Sequence, residues 1–244
     1  MPIGPYQITF EAASFKKLVR GNIELGVTQV LRVDVALEIG SMDDTIEVTA
    51  EVPRLQTDTP EMSTTMSNNQ MVDVPFSFSG GRLMENFSYK THPGVFGNRW
   101  ENNINGAPFF SRDTLLDGAS TTTQVQGGMV LTSVSMEAVQ EMKVQTSGIS
   151  AEFGRTQSGV YNYVLKSGSN DIHGSVYGSI RNEALNANTI PNKVRNVKRP
   201  LDRKENYAFS FGGPVVIPKI YDGHDTTFFY ATYALIHRSR ATRR

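Results

Sequence analysis

The sequence predicts a β-rich chain of two unlike parts. A mixed α/β unit comes first, and long antiparallel strands of the membrane-barrel kind follow it. A short β-sandwich piece precedes both. Three observations lead there. The first is a change of pattern at Lys166-Ser167-Gly168-Ser169-Asn170, a turn-rich hinge. Downstream of it strict alternation sets in. Ile172, Gly174, Val176, Gly178 and Ile180 face one way, and His173, Ser175, Tyr177, Ser179 and Arg181 face the other. An apolar face backed by a polar one suits a strand between lipid and a wet lumen. It suits an ordinary half-buried strand as well. The second observation is the aromatic content of the later strand candidates, at Tyr207, Phe209, Phe211, Phe228, Phe229, Tyr230 and Tyr233. The third is the inequality of the connections. A long polar one covers 182–204 and a shorter one covers 214–225, as in barrels with long outer loops and short inner turns.

Composition narrows the function classes. Lys and Arg balance Asp and Glu, so charge gives no argument for nucleic acid. Cysteine is absent, which excludes disulfides, thiolate metal sites and a thiol nucleophile. Hydrophobic residues make up 39%, and Gly, Asn, Ser and Thr are frequent, which suits many short strands and turns. No run approaches the roughly 18 apolar residues of a membrane helix. The start, MPIGPYQITF, shows no basic segment followed by an apolar one, so no signal peptide is visible.

Taken in order, residues 5–40 read as the end of a small sandwich. Tyr6, Ile8 and Phe10 alternate, and after a polar turn Val33, Val35 and Leu37 alternate against Asp34 and Glu38. Residues 43–50, DDTIEVTA, are extended by propensity, since Thr45, Ile46, Val48 and Thr49 are β-branched. Pro53 ends that run. Such a peptide is either the last sandwich strand or a partner for strand addition to another protein's sheet edge. Between 52 and 166 small apolar sets lie among Thr, Asn, Ser and Gln. A helix is predicted over 136–141, with strands at 142–146 and 160–165. Barrel-type strands are predicted at 172–181, 206–211 and 226–236.

Several ordered motifs carry a resemblance. They are Val74-Pro75 with Gly81-Arg82, then Pro93-Gly94-Val95, Leu116-Asp117-Gly118, and the passage from Glu137 to Val144. Ala151-Glu152-Phe153-Gly154-Arg155 and the closing run from Val160 to Asn170 complete the set. In this order they resemble the plug of the TonB-dependent outer-membrane receptors, in the Oar-type branch that carries a carboxypeptidase-regulatory-like domain in front. The spacing of Gly4, Tyr6, Phe15 and LRVDVAL resembles the end of that domain.

The resemblance implies a fragment of such a receptor. Residues 1–42 would be the C-terminal strands of the sandwich and 43–51 a TonB-box-like segment. Residues 52–168 would form the plug, and 169–244 the first strands of a truncated transmembrane β-barrel. It implies energy-coupled uptake of a substrate in the outer membrane of a Gram-negative bacterium, with the plug gating the barrel and the N-terminal region facing the periplasm. TonB would grip Asp44, Thr45, Ile46, Glu47, Val48, Thr49 and Ala50. Substrate would meet loop residues Arg82, Asn98, Arg99 and Trp100. The basic loop holding Lys193, Arg195, Lys198, Arg199, Arg203 and Lys204 would be outside, where it either meets lipopolysaccharide phosphates or is simply solvated.

Catalytic and cofactor signatures are missing. The four histidines are scattered, and neither a nucleophile elbow nor a phosphate loop occurs. Asp113 and Asp117-Gly118 hint at a calcium loop without its closing Glu, so Asp117-Gly118 reads as turn chemistry. No enzyme, cofactor or metal is expected. The competing expectation is a soluble β-rich adhesion or carbohydrate-binding module, in which the late aromatics pack inward.

Overall fold

A computed structural model describes residues 4–27, 29–40, 45–48, 60–74, 82–97, 102–123 and 134–239. The N-terminal piece is a three-stranded sheet of β1 (Gly4–Phe10), β2 (Lys17–Leu25) and β3 (Thr45–Val48), in that order. Strand β1 lies where alternation places it. Strand β2 was not legible, because Arg20-Gly21-Asn22 reads as a turn. In the fold these residues absorb a β-bulge: pairing jumps from Tyr6 opposite Ile23 to Ile8 opposite Arg20, with Asn22 at φ 58°. The strand predicted from Val33, Val35 and Leu37 does not form. Those side chains are half-buried while Asp34 and Glu38 are exposed, so the period is real. The segment instead leans on its neighbours through separate bonds, Lys16 N–H to the Glu38 carbonyl at 2.9 Å and Gly40 N–H to that of Ser14 at 3.2 Å.

The central unit is a mixed sheet with helices beside it. Its elements in chain order are β4 (Met62–Ser67), α1 (Asn68–Asp73), α2 (Met84–Thr91), β5 (Val95–Gly97), β6 (Asn102–Ile104), β7 (Asp113–Leu116), β8 (Ala119–Ser120), a 3-10 turn (Met136–Ala138), β9 (Val139–Ser147) and β10 (Val160–Leu165). The sheet order is β4-β9-β10-β7-β8, with β10 parallel to β7, and β5 and β6 form a separate hairpin. Strand β6 follows closely on the expected loop residues Asn98, Arg99 and Trp100. The helix predicted over 136–141 is a correction. One 3-10 turn forms, and from Val139 the chain is a strand, because Val139 already pairs with Leu165 on β10. Ladder bonds to β10 and β4 outweigh a weak helical preference. The strand at 160–165 is where it was expected.

One core sits under this sheet. Met71 and Phe87 from the helices meet Met136, Val139, Met142, Val144, Tyr161 and Tyr163 from the turn and central strands. The Tyr161 phenol is pushed up to about 12 by burial, and burial raises that of Tyr163 further. Both therefore stay neutral. The Asp117-Gly118 turn is as read: φ is 48° and 82°, the left-handed pair that a tight β7–β8 hairpin needs. Asp113 accepts from Ser120 and Thr122 hydroxyls at 2.7 Å each and from Thr114 N–H at 2.9 Å, which accounts for its burial without a metal ion.

The C-terminal sheet has the order β11 (His173–Arg181), β12 (Arg203–Pro214), β15 (Phe228–Ser239). Between β11 and β12 lie a 3-10 turn (Glu183–Leu185) and α3 (Ile190–Val194), and between β12 and β15 a small hairpin of β13 (Val216–Ile217) and β14 (Tyr221–Asp222). The last two long strands outrun their sequence signal. Gly212, Gly213 and Pro214 read as the end of a strand, yet they pair with Tyr230, Phe229 and Phe228. Three strands cannot close a barrel, and the outer edges of β11 and β15 have no strand neighbour among the described residues.

Candidate functional site: an apolar wall and the turn seated on it

Register decides which side chains share a face of the C-terminal sheet. One face is built of the rows Ile180–Glu205–His237, Gly178–Tyr207–Leu235, Val176–Phe209–Tyr233, Gly174–Phe211–Ala231 and Gly213–Phe229. It is apolar and open. Val176 is 90% exposed, Ile180 66% and Phe209 50%. Its rings group with one another, Phe209 with Tyr233 and Phe211 with Phe229, each pair 5.5 Å apart between centroids. From Glu205 to Gly213 the strand advances about 27 Å at about 3.4 Å per residue, or about 20 Å in height at a tilt of about 40°. That is close to the apolar band of an outer-membrane barrel, about 25 Å tall. The row holding Glu205 and His237 marks one border of the band.

The opposite face is narrow and polar, with small residues down its middle. Strand β12 offers Ala208, Ser210 and Gly212, all buried. Tyr177 of β11 and Tyr230 of β15 flank them. The 3-10 turn of the central unit sits here. The Tyr230 hydroxyl donates to the Glu137 carbonyl at 3.2 Å, and the Arg82 guanidinium lies 4.1 Å from the centre of the Tyr177 ring. Gly212 is required by this seat: a Cβ there would come within 2.6 Å of the Tyr230 ring and 3.2 Å of His173, which stacks on that ring.

Arg82 was expected in an exposed substrate loop, and the structure places it elsewhere. It is 7% exposed, and its Nε donates to Glu137 Oε1 at 3.0 Å. Ser135 holds the other Glu137 oxygen with its hydroxyl. Asn68 fastens the same turn from α1, donating to the Met136 and Val139 carbonyls at 3.1 and 2.7 Å while accepting from Lys166 Nζ at 2.9 Å. Burial lowers the Lys166 pKa, and the Glu137 charge works the other way. Asn98, Arg99 and Trp100 lie outside the described residues, as do Asp44, Thr49 and Ala50. Thr45–Val48 form β3, pairing in parallel with Lys17–Arg20 of β2. Sequence reasoning missed Glu137, Tyr177 and Tyr230 as a group, because nothing along the chain links positions so far apart.

The basic loop is partly self-paired. Arg203 meets Glu183 through Nη2 at 2.7 Å, Arg181 and Lys204 meet Asp202 at 2.6 and 3.1 Å, and Arg199 donates to the Ala184 and Asn186 carbonyls. Lys193, Arg195 and Lys198 are exposed.

Residues 164–244 match the family described as the outer membrane beta barrel domain. Over 239 residues the chain is 26% identical to the TonB-dependent transporter Oar of Myxococcus xanthus, an alignment covering 91% of this chain. The chain is thus similar to a TonB-dependent transporter and, over its last third, to an outer membrane beta barrel domain. It spans 22% of the length of that relative. Two solved structures also align. The siderophore receptor PirA from Acinetobacter baumannii is 18% identical, with a TM-score of 0.45, over 63% of this chain and 22% of that one. The outer membrane transporter YddB from Escherichia coli is 17% identical, with a TM-score of 0.48, over 63% of this chain and 24% of that one. The open apolar band of the C-terminal sheet lies within the residues that match the outer membrane beta barrel domain. The expectation of late aromatics packed inward, which a soluble module requires, does not hold for Tyr207, Phe209 and Tyr233.

Proposed function

We propose that this chain is the coupling and gating portion of an outer-membrane active transporter. In this reading residues 52–168 are the plug, the three C-terminal strands are the first of its barrel, and the segment around Thr45–Val48 is what TonB grips from the periplasm. One observation carries the reading: the central unit docks on the polar face of the barrel strands and leaves their apolar face bare. A lumen-filling domain must do this, since the lumen is polar and the outside is hydrocarbon. Arg82 then has an anchoring role through Glu137 and Tyr177, and substrate contact falls to the remaining loop residues, Asn98, Arg99 and Trp100. Exposed Lys193, Arg195 and Lys198 would face lipopolysaccharide phosphates.

The test is binding of a peptide of residues 41–53 to a purified TonB C-terminal domain, by calorimetry. Binding is expected, and Ile46→Pro should abolish it by removing a backbone donor and fixing φ. An unmodified peptide that does not bind would falsify the coupling assignment.

A further inference from the structure

We infer that the hairpin between β12 and β15 is a membrane foot: it lies in the headgroup layer of a phospholipid leaflet and sets the depth of the strands that carry it. The inference rests on the transporter reading above. It extends the lipid contact beyond the apolar band, to a connection that would otherwise be a solvated turn.

The backbone of β12 keeps its ladder past Pro214. Val215 N–H donates to the Thr227 carbonyl at 2.9 Å, one rung beyond the Pro214–Phe228 pair, and the Val215 carbonyl accepts from Gly223 N–H at 3.0 Å. The strand thus passes from β12 into β13 and only changes partner, from β15 to β14. Period two carries the apolar face through Gly213 and Val215 to Ile217. Tyr221 is in register with Ile217 and shares that face. Its hydroxyl is bonded to those of Thr226 and Thr227 at 3.4 and 2.5 Å, which holds the ring against the root of β15. Asp222, bonded to His224, lies with Val216 on the other face.

Height and chemistry then agree. From Glu205 to Ile217 the strand advances about 41 Å, or about 31 Å in height at a tilt of about 40°. The hydrocarbon band is about 25 Å tall, so Ile217 and Tyr221 come out just beyond it, at headgroup level. A turn in plain water has no use for apolar side chains, yet Val216, Ile217, Ile220 and Tyr221 are all exposed, Ile220 to 82%. Lys219 is exposed at the tip, between Pro218 and Ile220. Aliphatic groups beside a tyrosine and a lysine make an interfacial anchor: the apolar parts enter the acyl boundary and the ammonium meets phosphate. The root of the hairpin is tied to the hinge, where Asp225 N–H donates to Asn170 Oδ1 at 2.8 Å and the Asn170 amide donates to the Asp225 carboxylate. The foot therefore stands at the end where the chain arrives from the central unit, the periplasmic end in this reading. The leaflet on that side is glycerophospholipid, which makes phospholipid the occupant.

The absence of native cysteine allows one dye per chain. The full chain carries an environment-sensitive dye at Ile220→Cys, at Phe209→Cys in the apolar band, or at Arg195→Cys in the β11–β12 connection. Each is mixed with vesicles of phosphatidylethanolamine and phosphatidylglycerol, brominated either near the headgroup or deep in the acyl chains. The dye at 220 should be quenched most by shallow bromine, the dye at 209 by deep bromine, and the dye at 195 by neither. Without dye, Lys219→Glu combined with Ile220→Asp should bind the vesicles at least about tenfold more weakly than the parent. Quenching at 209 without quenching at 220 puts the hairpin in water and overturns the inference, as does a double variant that binds like the parent. A spectral shift at 220 that grows with protein concentration in the absence of lipid makes a second copy the occupant and overturns it too. If neither 209 nor 220 is quenched, the membrane reading of the strands itself fails, a result distinct from the others.

Discussion

The central sheet and the C-terminal sheet obey one β-period and bury opposite things. In the central unit Met142 and Val144 point into an apolar core, and even Lys143 is buried, its ammonium 2.7 Å from Glu61. In the C-terminal sheet the apolar rows Val176–Phe209–Tyr233 and Gly178–Tyr207–Leu235 stand in the open, and Ala208 and Ser210 are buried. Alternation states only that two faces differ. Which face is covered depends on what each one meets: in the proposed transporter, water surrounds the first sheet, and the second has hydrocarbon on one face and the central unit on the other. A second contrast follows. The central unit buries Arg82 against Glu137 and Lys143 against Glu61, whereas the apolar face of the C-terminal sheet has charge at its border, Glu205.

Breaking the buried pair should have the largest effect. Arg82→Ala leaves the Glu137 carboxylate buried without its cation and should cost about 3–5 kcal/mol, read as a lower denaturant midpoint at unchanged m. Replacing Arg82 and Glu137 together by Met and Leu should recover most of that loss. If the single variant melts like the parent, the turn is not the anchor described here.

Next comes a charge on the bare face. Phe209→Arg, in the middle row of the apolar band, should weaken binding of the chain to phospholipid vesicles by about 2–4 kcal/mol. A variant that binds as well as the parent would place that face in water and merge the two sheets into one kind.

The smallest effect is electrostatic. Burial raises the Glu141 pKa, with Glu24 adding to it and the Val27 N–H and Lys143 opposing. A carboxyl raised in the folded state holds its proton more tightly there than in the unfolded chain. Stability from this group is therefore present at low pH and is lost as pH rises from the ordinary 4.5 through the raised value. Glu141→Gln should raise the melting temperature by about 1–2 °C at pH 7 and by nothing measurable at pH 4. Glu61 runs the other way. Burial opposes its charge, but hydrogen bonds from Lys143, Ser63 and Gln145 prevail and lower its pKa, so its contribution fades as pH falls.

The sequence by itself determined the local periods and the turns. Alternation located β1 and β11, the Asp117-Gly118 hairpin followed from two residues that accept φ above zero, and the polar hinge at 166–170 separated the two kinds of strand. These depend on neighbours in the chain, so the chain displays them. The tertiary structure alone decided the rest. It turned Gly21-Asn22 from a turn into a bulge, carried β12 through two glycines to Pro214, and left residues 33–37 outside any ladder, because each outcome depends on which strand lies alongside. It also buried the Arg82 side chain and set it between Glu137 and Tyr177, residues far apart in sequence that meet only when a turn of one sheet seats on the small-residue face of another.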